Sequence, residues 1–568
     1  MSGHLLMFSV GPVAEFIDSS RRTRDLFFSS QHVARMARAA AFRIQAEFEA
    51  ELIVPAVPSG ADKDQVPVSD EVLAIIPEGK DPRSAADVAK EAAHNIWKEA
   101  ADNTRALLAK KRWDIGVEDP RWTAQRDSDL VEFFAAWSPL GKDYNVSRQK
   151  LENLFRARET LTDFSPNPLS AGVPKSSLDG RRETVLGPGA SHERARFQAG
   201  INRAEQLDLP GVVKRVGSGR FPPVSRIALD SWIGWAEHDH PEEVTKLLER
   251  MRELSALGLV SKVEHPPIYG SFPYDAELLL ESRARTIANG KSRQLDALEP
   301  EEKKVAARLA DSILLLLKKI GRTPFPYVAT ICADGDGMGE RTRDCSSAEQ
   351  HVNFGRSLSL FASKVPEIVE GHRGVVVYAG GDDLLAFSPV DQAIGCAEEL
   401  HSEFLRQVGG ELSVGIAITH ILTPMAGTMV KHAGEALNGI AKQRKGALAV
   451  LLEKRSGSPT NVCLSWAADP AKRFGRWIEL LESELIPEGL SRDLYRMAGE
   501  YAGVDAFDKG DSLRKEVGRL LGKKRPKAGR LAEENRDFII NLVSDVSSLA
   551  ALANEMIIAQ NFHAAHLR

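Results

Sequence analysis

The stretch VVVYAGGDDLLAFSP, residues 375–389, places two glycines and two aspartates between two apolar runs. Apolar runs on either side of a glycine-containing turn predict a β-hairpin. The tip of this hairpin would carry the adjacent carboxylates of Asp382 and Asp383, which repel each other. Either the turn simply requires small polar residues, or the two carboxylates hold a positively charged group.

The segments around this hairpin predict a ferredoxin-like sheet. Upstream, FPYVATICA (325–333) has the pattern of a strand, and the turn DGDGMGE (334–340) and an amphipathic helix follow it. Downstream, residues 391–408 predict a second helix, and ELSVGIAI (411–418) predicts a further strand. The resulting order, β-α-β-β-α-β, is that of a split βαβ sheet, in which the first strand can lie beside the hairpin.

Such a sheet would bring two acidic turns together. Asp334 and Asp336 follow the first strand, whereas Asp382 and Asp383 lie at the hairpin tip. Converging carboxylates are costly unless a cation neutralises them, and ligands of this kind suit Mg²⁺ or Mn²⁺. Two such ions, about 3.5–4 Å apart, would serve an in-line attack at phosphorus. The second acidic turn therefore favours a metal site over an ordinary hairpin turn.

The residues around the carboxylates predict a nucleotide phosphate site. Glycines beside both turns permit positive φ and let a triphosphate approach the backbone. Lys442 and Lys445 follow the last core helix and can contact phosphates, although lysines at a helix end are commonly just solvated. The predicted cofactor-binding residues are Gly335, Asp336, Gly337, Gly380, Gly381 and Lys442, and Gly339 lies in the same turn.

The remainder of the 568 residues predicts three further regions in an α+β protein. LLMFSV (5–10), a long helix and LIVPAV (52–57) indicate a first sheet domain within residues 1–160. Residues 161–320 predict a helical and irregular linker domain, with a Pro/Gly/Ser-rich stretch at 163–193. Residues 321–460 contain the predicted catalytic sheet. Residues 461–568 predict a helical C-terminal domain.

Composition excludes several classes of protein. The net charge of −5 argues against a free-standing nucleic-acid coat protein, and no apolar run reaches the roughly 18 residues of a membrane span. The four cysteines form no CxxC pair, so neither a disulfide framework nor a zinc ribbon is expected, and a cytoplasmic location is the simplest interpretation. One basic stretch (513–530) is either a solvated helix end or a surface that contacts phosphates or another subunit. Its basic residues are Lys515, Arg519, Lys523, Lys524, Arg525, Lys527 and Arg530.

The two acidic motifs resemble those of a known family. ADGDGMG (333–339), followed by a helix and VVYAGGDDLLAFSP (376–389), resembles the palm domain of Cas10 proteins, the large subunits of type III CRISPR effector complexes, in their Cmr2 subtype. LLMFSVGPVAEFIDSSRRTRDLFFSS (5–30) and VPVSDEVLAII (66–76) are similar to the first palm-like domain of that family. The resemblance implies two ferredoxin-like palm (nucleotide cyclase-like) domains with a helical middle and a helical C-terminal domain.

The resemblance also implies an activity. The family's palm binds ATP and Mg²⁺, and the 3′-hydroxyl of one ATP attacks the α-phosphorus of another to make cyclic oligoadenylate once the complex captures target RNA. By this likeness Asp334 and Asp382 are metal ligands, Asp383 is a second ligand or assists deprotonation, and Asp336 supports them. The first palm, which shows no such acidic turn, would complete the nucleotide pocket without metals. The implied partners are other type III-B Cmr subunits, a guide crRNA and target RNA, with no membrane.

Two features depart from the family pattern. Many relatives begin with an HD nuclease domain, but here the palm-like opening starts at residue 5, so we expect no HD nuclease activity. The His-Asp-His sequence at 238–240 fits a helix N-cap region better than a metal site. Ser176 and Ser177, within VPKSSLDGRRETV (173–185), stand where relatives often carry zinc-binding cysteines, so we expect no structural zinc.

Other functions stay open at the level of sequence. The same palm can make a different ATP-derived signal, for example by joining AMP to a metabolite, because the second-substrate pocket lies in loops that the sequence does not place. A non-catalytic scaffold subunit is a further alternative, although Asp334, Asp382 and Asp383 are all present. A stand-alone diguanylate cyclase is disfavoured by the large additional domains and by GGDD in place of GGDEF.

Overall fold

A computed structural model of the chain describes most of its length. The described residues are 3–11, 13–57, 66–127, 131–161, 172–189, 191–217, 221–263, 267–423, 425–487, 489–502, 504, 510–523 and 531–566. Within these ranges no helix is both long enough and apolar enough to cross a membrane. The described residues form two sheets, each covered by helices.

The first sheet has four antiparallel strands in the order β2-β3-β1-β4. Its strands are β1 (Gly3–Gly11), β2 (Glu51–Val54), β3 (Glu71–Pro77) and β4 (Glu132–Pro139). Its helices are α1 (Val13–Asp18), α2 (Thr23–Phe48), α3 (Pro82–Lys111), α4 (Asp119–Asp127) and α5 (Tyr144–Glu159). With α2 and α3 as the two crossover helices, this is the ferredoxin-like order, so the predicted fold of this domain is confirmed.

The helices in the middle of the chain pack against both sheets. Its helices are α6 (Glu193–Gln198), α7 (Leu209–Gly217), α8 (Val224–Ala228), α9 (Asp230–Asp239), α10 (Pro241–Ala256), α11 (Glu281–Ala288) and α12 (Pro300–Ile320). Val185 and Val212 pack into the core of the first sheet beside α2 and α3, whereas Ile313 on α12 shares a core with Val328 and Phe387 of the second sheet. The predicted linker domain thus divides between two cores.

The segment around Ser176 and the His-Asp-His sequence at 238–240 both make hydrogen-bonded contacts with neighbouring residues of the chain. Ser176 is buried and donates a hydrogen bond to Asp208 Oδ1 (3.2 Å), which also accepts from the Gly211 N–H (3.0 Å). At 238–240, the His238 ring lies 2.6 Å from the Asp239 carboxylate, and His240 occupies the N-cap position of α10. This junction is thus the predicted helix N-cap region, although the His240 side chain makes no capping hydrogen bond.

The second sheet contains six strands in the order β10-β9-β8-β5-β7-β6. The strands are β5 (Tyr327–Gly335), β6 (Val375–Gly380), β7 (Asp383–Pro389), β8 (Leu412–His420), β9 (Ala447–Leu452) and β10 (Thr460–Ser465). The helices are α13 (Met338–Asp344), α14 (Ala348–Gly371), α15 (Ala393–Val408), α16 (Ala426–Ala436) and α17 (Lys442–Arg444), with a π-helical turn over Leu437–Ala441. The β8-β5-β7-β6 core is the predicted ferredoxin-like sheet; β9 adds in parallel to β8, and β10 crosses the predicted boundary at 460.

The tail is mainly helical and packs on the second sheet. Its helices are α18 (Pro470–Glu482), α19 (Leu490–Glu500), α20 (Asp511–Lys523), α21 (Glu533–Asn541) and α22 (Val546–Ala565). In the basic stretch, Arg519 on α20 pairs with Glu516 at the surface. Lys524, Arg525, Lys527 and Arg530 lie outside the described residues, so the choice between a solvated helix end and a contact surface stays open.

A buried ion pair fixes α22 to α18. Glu555 on α22 is buried and accepts two hydrogen bonds of 2.5 Å from Arg473 and one of 2.7 Å from Trp477 Nε1. Removing Glu555 leaves a desolvated guanidinium and an unpaired indole N–H. Breaking a buried pair from one side is much costlier than breaking a surface pair.

We therefore expect Glu555→Ala to lower the free energy of unfolding by about 3 kcal/mol. Glu534→Ala is the matched control, because Glu534 also pairs with an arginine, Arg476, but is 86% exposed. That substitution should cost less than about 0.5 kcal/mol. Denaturant titrations of both variants, followed by tryptophan fluorescence, measure the difference. Equal midpoints for the two variants would show that the Glu555 pair does not stabilise the tail.

Candidate active site

The strand register brings the two acidic turns to one edge of the second sheet. β5 and β7 are antiparallel neighbours, and their last pair joins Ala333 to Leu384. Continuing this register by one residue places Asp334 opposite Asp383. Asp334 also pairs with Ser413 on β8, so it lies between two neighbouring strands. The turns thus meet because β5 is central, as the sequence predicted.

The close approach of the turns depends on the absence of a side chain at Gly335. A Cβ built there would lie 2.8 Å from Met338 Cγ, 2.8 Å from Phe404 Cζ and 3.1 Å from Asp382 Cβ. These distances are shorter than ordinary van der Waals contacts between carbon atoms. Gly335 therefore allows the backbone of one acidic turn to contact the side chain of the other.

The glycines act differently from one another. Gly337 and Gly381 have the predicted positive φ, at 71° and 64°. The prediction of positive φ is wrong for Gly335, Gly339 and Gly380, which do not adopt it. At Gly380 a Cβ would collide with the Tyr378 hydroxyl instead, so this position needs glycine for space. Only two of the five turn glycines are therefore required for backbone conformation.

The carboxylates are close enough to perturb each other. Burial, a hydrogen bond with Asp334 and the charges of Asp334 and Asp383 raise the pKa of Asp382 to about 7. Burial and the Asp334 charge, with a smaller effect of Asp70, raise the pKa of Asp383 to about 6, while Lys442 opposes this shift. Asp383 stays open to solvent, which screens its share of the repulsion. The turns therefore form a site of excess negative charge.

Lys442 provides the positive charge in this site. Its Nζ forms an ion pair with Asp334, lies 3.2 Å from Asp336 Oδ1, and donates a 2.6 Å hydrogen bond to the Gly335 carbonyl oxygen. Lys442 was predicted to contact phosphates, and it does lie at the site. Its partners here are the oxygen atoms of the first acidic turn.

Asp336 is bound mainly by the protein itself. Its Oδ2 accepts a 2.7 Å hydrogen bond from Ser413 Oγ on β8 and another of 2.7 Å from the Gly446 N–H before β9. These bonds tie the first acidic turn to the chain segment that carries Lys442. The role of Asp336 in supporting a metal site stays a prediction.

The donor set fits a divalent cation that would bind in place of the lysine. Carboxylate oxygens of Asp334, Asp382 and Asp383 and the Gly335 carbonyl are hard oxygen donors of the kind that Mg²⁺ and Mn²⁺ prefer. Across the described part of the chain, no three His, Cys, Asp or Glu side chains already stand in the arrangement of a metal site. The Lys442 ammonium lies where the oxygens of the first turn converge, so metal binding requires this side chain to move.

The first palm packs reciprocally against the second. Helix α2 of the first sheet contacts β6 of the second, where Gln31 Nε2 donates to the Val377 carbonyl at 3.2 Å. Helix α14 of the second sheet contacts the chain at β2 of the first, where Ser359 Oγ donates to the Ala56 carbonyl at 3.1 Å. In each palm the first crossover helix meets the edge strand of the other, which is the contact pattern of a pseudo-twofold pair.

The pseudo-twofold relation reveals an acidic pair that the sequence prediction missed. SDEVLAIIP (69–77) and GDDLLAFSP (381–389) occupy the same strand of the two sheets, so Asp70 and Glu71 correspond to Asp382 and Asp383. The first palm was expected to have no acidic turn of the GGDD kind; the Asp70–Glu71 pair has no adjacent glycines, and this expectation did not include it. Ser9 lies opposite Glu71, where the second palm has Asp334, so the first palm lacks the third carboxylate. Alignment of the two nine-residue segments would have found the pair.

Asp70 also reaches the site of the second palm. Burial raises the pKa of Asp70, and its charge contributes to the raised pKa values of Asp383 and Tyr378. The first palm thus adds negative charge next to the GGDD turn.

Comparison with known proteins identifies both palms. Residues 327–449 match the family model for the second palm domain of Cas10/Cmr2, and residues 5–102 match the model for the N-terminal domain of the CRISPR-associated protein Cmr2. These two regions are domains of the Cas10/Cmr2 type. The match at 5–102 covers strands β1 to β3 of the first sheet but ends before β4, whereas the match at 327–449 contains the four core strands of the second sheet and every predicted site residue.

Individual relatives agree with this assignment. The Cmr2 subunit of the CRISPR system Cmr of Pyrococcus furiosus is 30% identical over 226 residues, covering 34% of this chain and 25% of that protein. The match thus spans about a quarter of the length of this curated relative. The fold is similar to a chain of a type III-B Cmr-beta complex bound to cognate target RNA, with a TM-score of 0.69, 13% identity, and coverage of 99% and 83% of the two chains. The apo state of Cmr-beta gives a TM-score of 0.65.

The contact at Gly335 makes a first prediction for this Cas10-family site. Gly335→Ala should separate the acidic turns and cost about 1–3 kcal/mol of stability, because its Cβ has no free space. Gly339→Ala is the control, since a Cβ there meets nothing within 4 Å. It should leave the melting temperature unchanged or slightly raised. Thermal unfolding and Mn²⁺ titration of both variants test this, and equal behaviour would contradict the tight contact.

The raised pKa of Asp382 makes a second prediction. A carboxyl whose folded pKa lies near 7 rather than near 4 favours folding while protonated, and this contribution is lost as pH rises from about 4 to about 7. In metal-free buffer, Asp382→Asn should therefore match the parent protein at pH 4.5 and exceed it at pH 8 by roughly 1 kcal/mol, after allowance for solvent screening. Denaturant unfolding at the two pH values measures this. A pH-independent difference would show that Asp382 is not crowded by like charges.

Proposed function

We propose that the chain is the large subunit of a type III-B CRISPR effector complex and converts ATP to a cyclic oligoadenylate messenger in antiviral defence. The observation that carries this proposal is the convergence of Asp334, Asp382 and Asp383 at one sheet edge of a Cas10-family palm. Such a cluster has no structural purpose, since it costs stability until a cation neutralises it. The first palm, which packs reciprocally against this one, would supply the other wall of a nucleotide site.

The residues of the chain have distinct roles in the proposed reaction. Asp334, Asp382 and Asp383 would hold Mg²⁺ or Mn²⁺, which when bound stabilises negative charge on the phosphates. Gly337 and Gly381 adopt positive φ and carry no side chain, so phosphates could approach the backbone of both turns. Lys442, on its flexible four-carbon side chain, would contact the phosphates as a point charge.

Asp383 would act either as a further metal ligand or as the proton acceptor for the attacking hydroxyl. Its carboxylate is exposed to solvent, and burial with the Asp334 charge raises its pKa to about 6 in the ligand-free protein, which makes it more basic than an ordinary aspartate. In the second role, the 3′-hydroxyl of one ATP would lose its proton to Asp383 while its oxygen bonds to the α-phosphorus of another ATP. The bond from that phosphorus to the bridging oxygen of the β-phosphate breaks, and pyrophosphate leaves.

The proposed partners follow from the similar Cmr-beta assembly. The matched Cmr-beta complex was solved with its cognate target RNA, and we propose that this chain likewise assembles with Cmr subunits, a guide crRNA and target RNA in the cytoplasm. Binding of target RNA would switch on synthesis. The acidic net charge suits a subunit that contacts RNA through limited basic surfaces.

A scaffold role without catalysis is the second candidate. One observation favours it: Lys442 occupies the acidic turn, and the carboxylates do not stand in a ready metal geometry. In a scaffold subunit Lys442 would stay paired with Asp334, whereas in an enzyme Lys442 must leave Asp334 so that a metal ion can bind there.

The assembled complex with target RNA and Mg²⁺ should consume ATP and yield cyclic oligoadenylates by mass spectrometry. The double substitution Asp382→Ala, Asp383→Ala should lower the rate of ATP consumption at least about a thousandfold while RNA binding stays intact. Unchanged ATP consumption in this variant would overturn the enzymatic proposal, and no turnover in either protein would favour the scaffold. A product of AMP joined to a metabolite, formed only with cell extract, would replace the proposed product.

A further inference from the structure

Lys442 makes three contacts that together resemble the coordination of a cation. Its Nζ pairs with the Asp334 carboxylate, bonds to the Gly335 carbonyl at 2.6 Å, and lies 3.2 Å from the Asp336 carboxylate. Three oxygens from consecutive residues of one turn therefore surround a single positive charge. A solvated helix-end lysine would not be enclosed in this way, and the Lys442 side chain is only 21% exposed.

The backbone holds Lys442 in this position from both sides. Before it, the π-helical turn approaches β8 so closely at Gly415 that a Cβ there would lie 2.7 Å from Leu437 Cα. After it, the Gly446 N–H donates a 2.7 Å hydrogen bond to Asp336, the residue that Lys442 contacts with its ammonium. Single π turns inside helices are frequent at functional sites. The contacts of the flanking backbone therefore position the Lys442 side chain at the end of β5.

The oxygens around Lys442 are those that a divalent ion would use. A carboxylate and a backbone carbonyl from one turn are typical Mg²⁺ or Mn²⁺ ligands, and the Asp382 carboxyl lies beside them. The ammonium fills the space between these oxygens, so a metal ion bonded to the same Asp334 and Gly335 oxygens would overlap with it. Lysine and metal therefore compete for one place.

We propose that Lys442 is a placeholder cation: it occupies the metal position when nucleotide is absent and leaves it for the phosphates when the metal–nucleotide complex binds. This inference rests on the proposed nucleotidyl transfer, since it assigns Lys442 a second position at the phosphates. The ammonium stabilises the first acidic turn in the resting protein, and the same group is available to the substrate once displaced.

The exchange couples metal binding to nucleotide binding. A metal ion alone must displace the ammonium without bringing any oxygen atom to receive it, so it binds weakly. A metal ion with a nucleotide supplies phosphate oxygens that receive the ammonium, so the two bind together. Lys442 is a positioning residue in this scheme, and its removal should strengthen binding of the bare metal.

The test is the affinity for Mn²⁺ alone, measured by electron paramagnetic resonance on the full chain without nucleotide. Lys442→Met should bind Mn²⁺ at least about tenfold more tightly than the parent protein, because the competing charge is gone. Lys431→Met is the control, since Lys431 is an exposed lysine on α16, the helix that leads to Lys442, and its loss changes the net charge equally. This control should bind like the parent.

A second measurement keeps the inference testable if the methionine variant folds poorly. Lys442→Gln retains a hydrogen-bond donor without charge, and Mn²⁺ should raise its melting temperature more than that of the parent. Adding α,β-methylene ATP should tighten Mn²⁺ binding to the parent and leave little difference between parent and variant.

The outcomes separate the two proposals. If the parent binds Mn²⁺ with the ATP analogue but neither Lys442 variant gains affinity for Mn²⁺ alone, the placeholder role is wrong and the proposed function stands. If no protein binds Mn²⁺ with or without the analogue, the proposed function fails together with the inference.

Discussion

The crowding of carboxylates where β5 ends and β7 begins is the constraint on which the site depends. A ferredoxin-like sheet places these two strand ends side by side, and Gly335 lets the turns touch. Burial and the neighbouring carboxylates raise the pKa of Asp382, and their repulsion would destabilise the sheet edge if it were not opposed. Lys442 opposes it in the ligand-free protein. Stability and function therefore depend on the same few oxygen atoms, and a cation must always be present among them.

The packing of the two palms against each other explains why two whole sheet domains surround one small group of carboxylates. Each palm covers the edge strand of the other with its first crossover helix, through contacts such as Gln31 with Val377 and Ser359 with Ala56. The pairing brings Asp70 of the first palm close to the acidic turn of the second. At the matching positions the first palm has Ser9 where the second has Asp334, so three carboxylates meet there only in the second palm. Helices on the outer faces bury both sheets and leave the strand ends open.

Much of the second palm was predictable because its signals are local. Strand and helix periodicity, the turn glycines and the adjacent aspartates predicted the sheet order and the meeting of Asp334 with Asp382 and Asp383. What sequence could not supply depends on contacts between distant segments. The ion pair of Lys442 with Asp334 spans about a hundred residues, and a helix-end lysine has the same local pattern whether it is solvated or buried. Asp70 was missed because its pair includes glutamate and lacks the double glycine, so it had no turn signature. The division of the middle helices between two cores likewise has no local signal.

The central claim is that the acidic turns form a divalent-metal site that Lys442 fills until substrate arrives. The most direct measurement is an anomalous-scattering map of crystals grown with Mn²⁺ and α,β-methylene ATP. The account predicts a manganese peak between Asp334 and Asp382, bonded to the Gly335 carbonyl, with the Lys442 ammonium moved onto the phosphates. Nucleotide bound elsewhere, or a manganese peak absent from this cluster while Lys442 keeps its contact with Asp334, would contradict it.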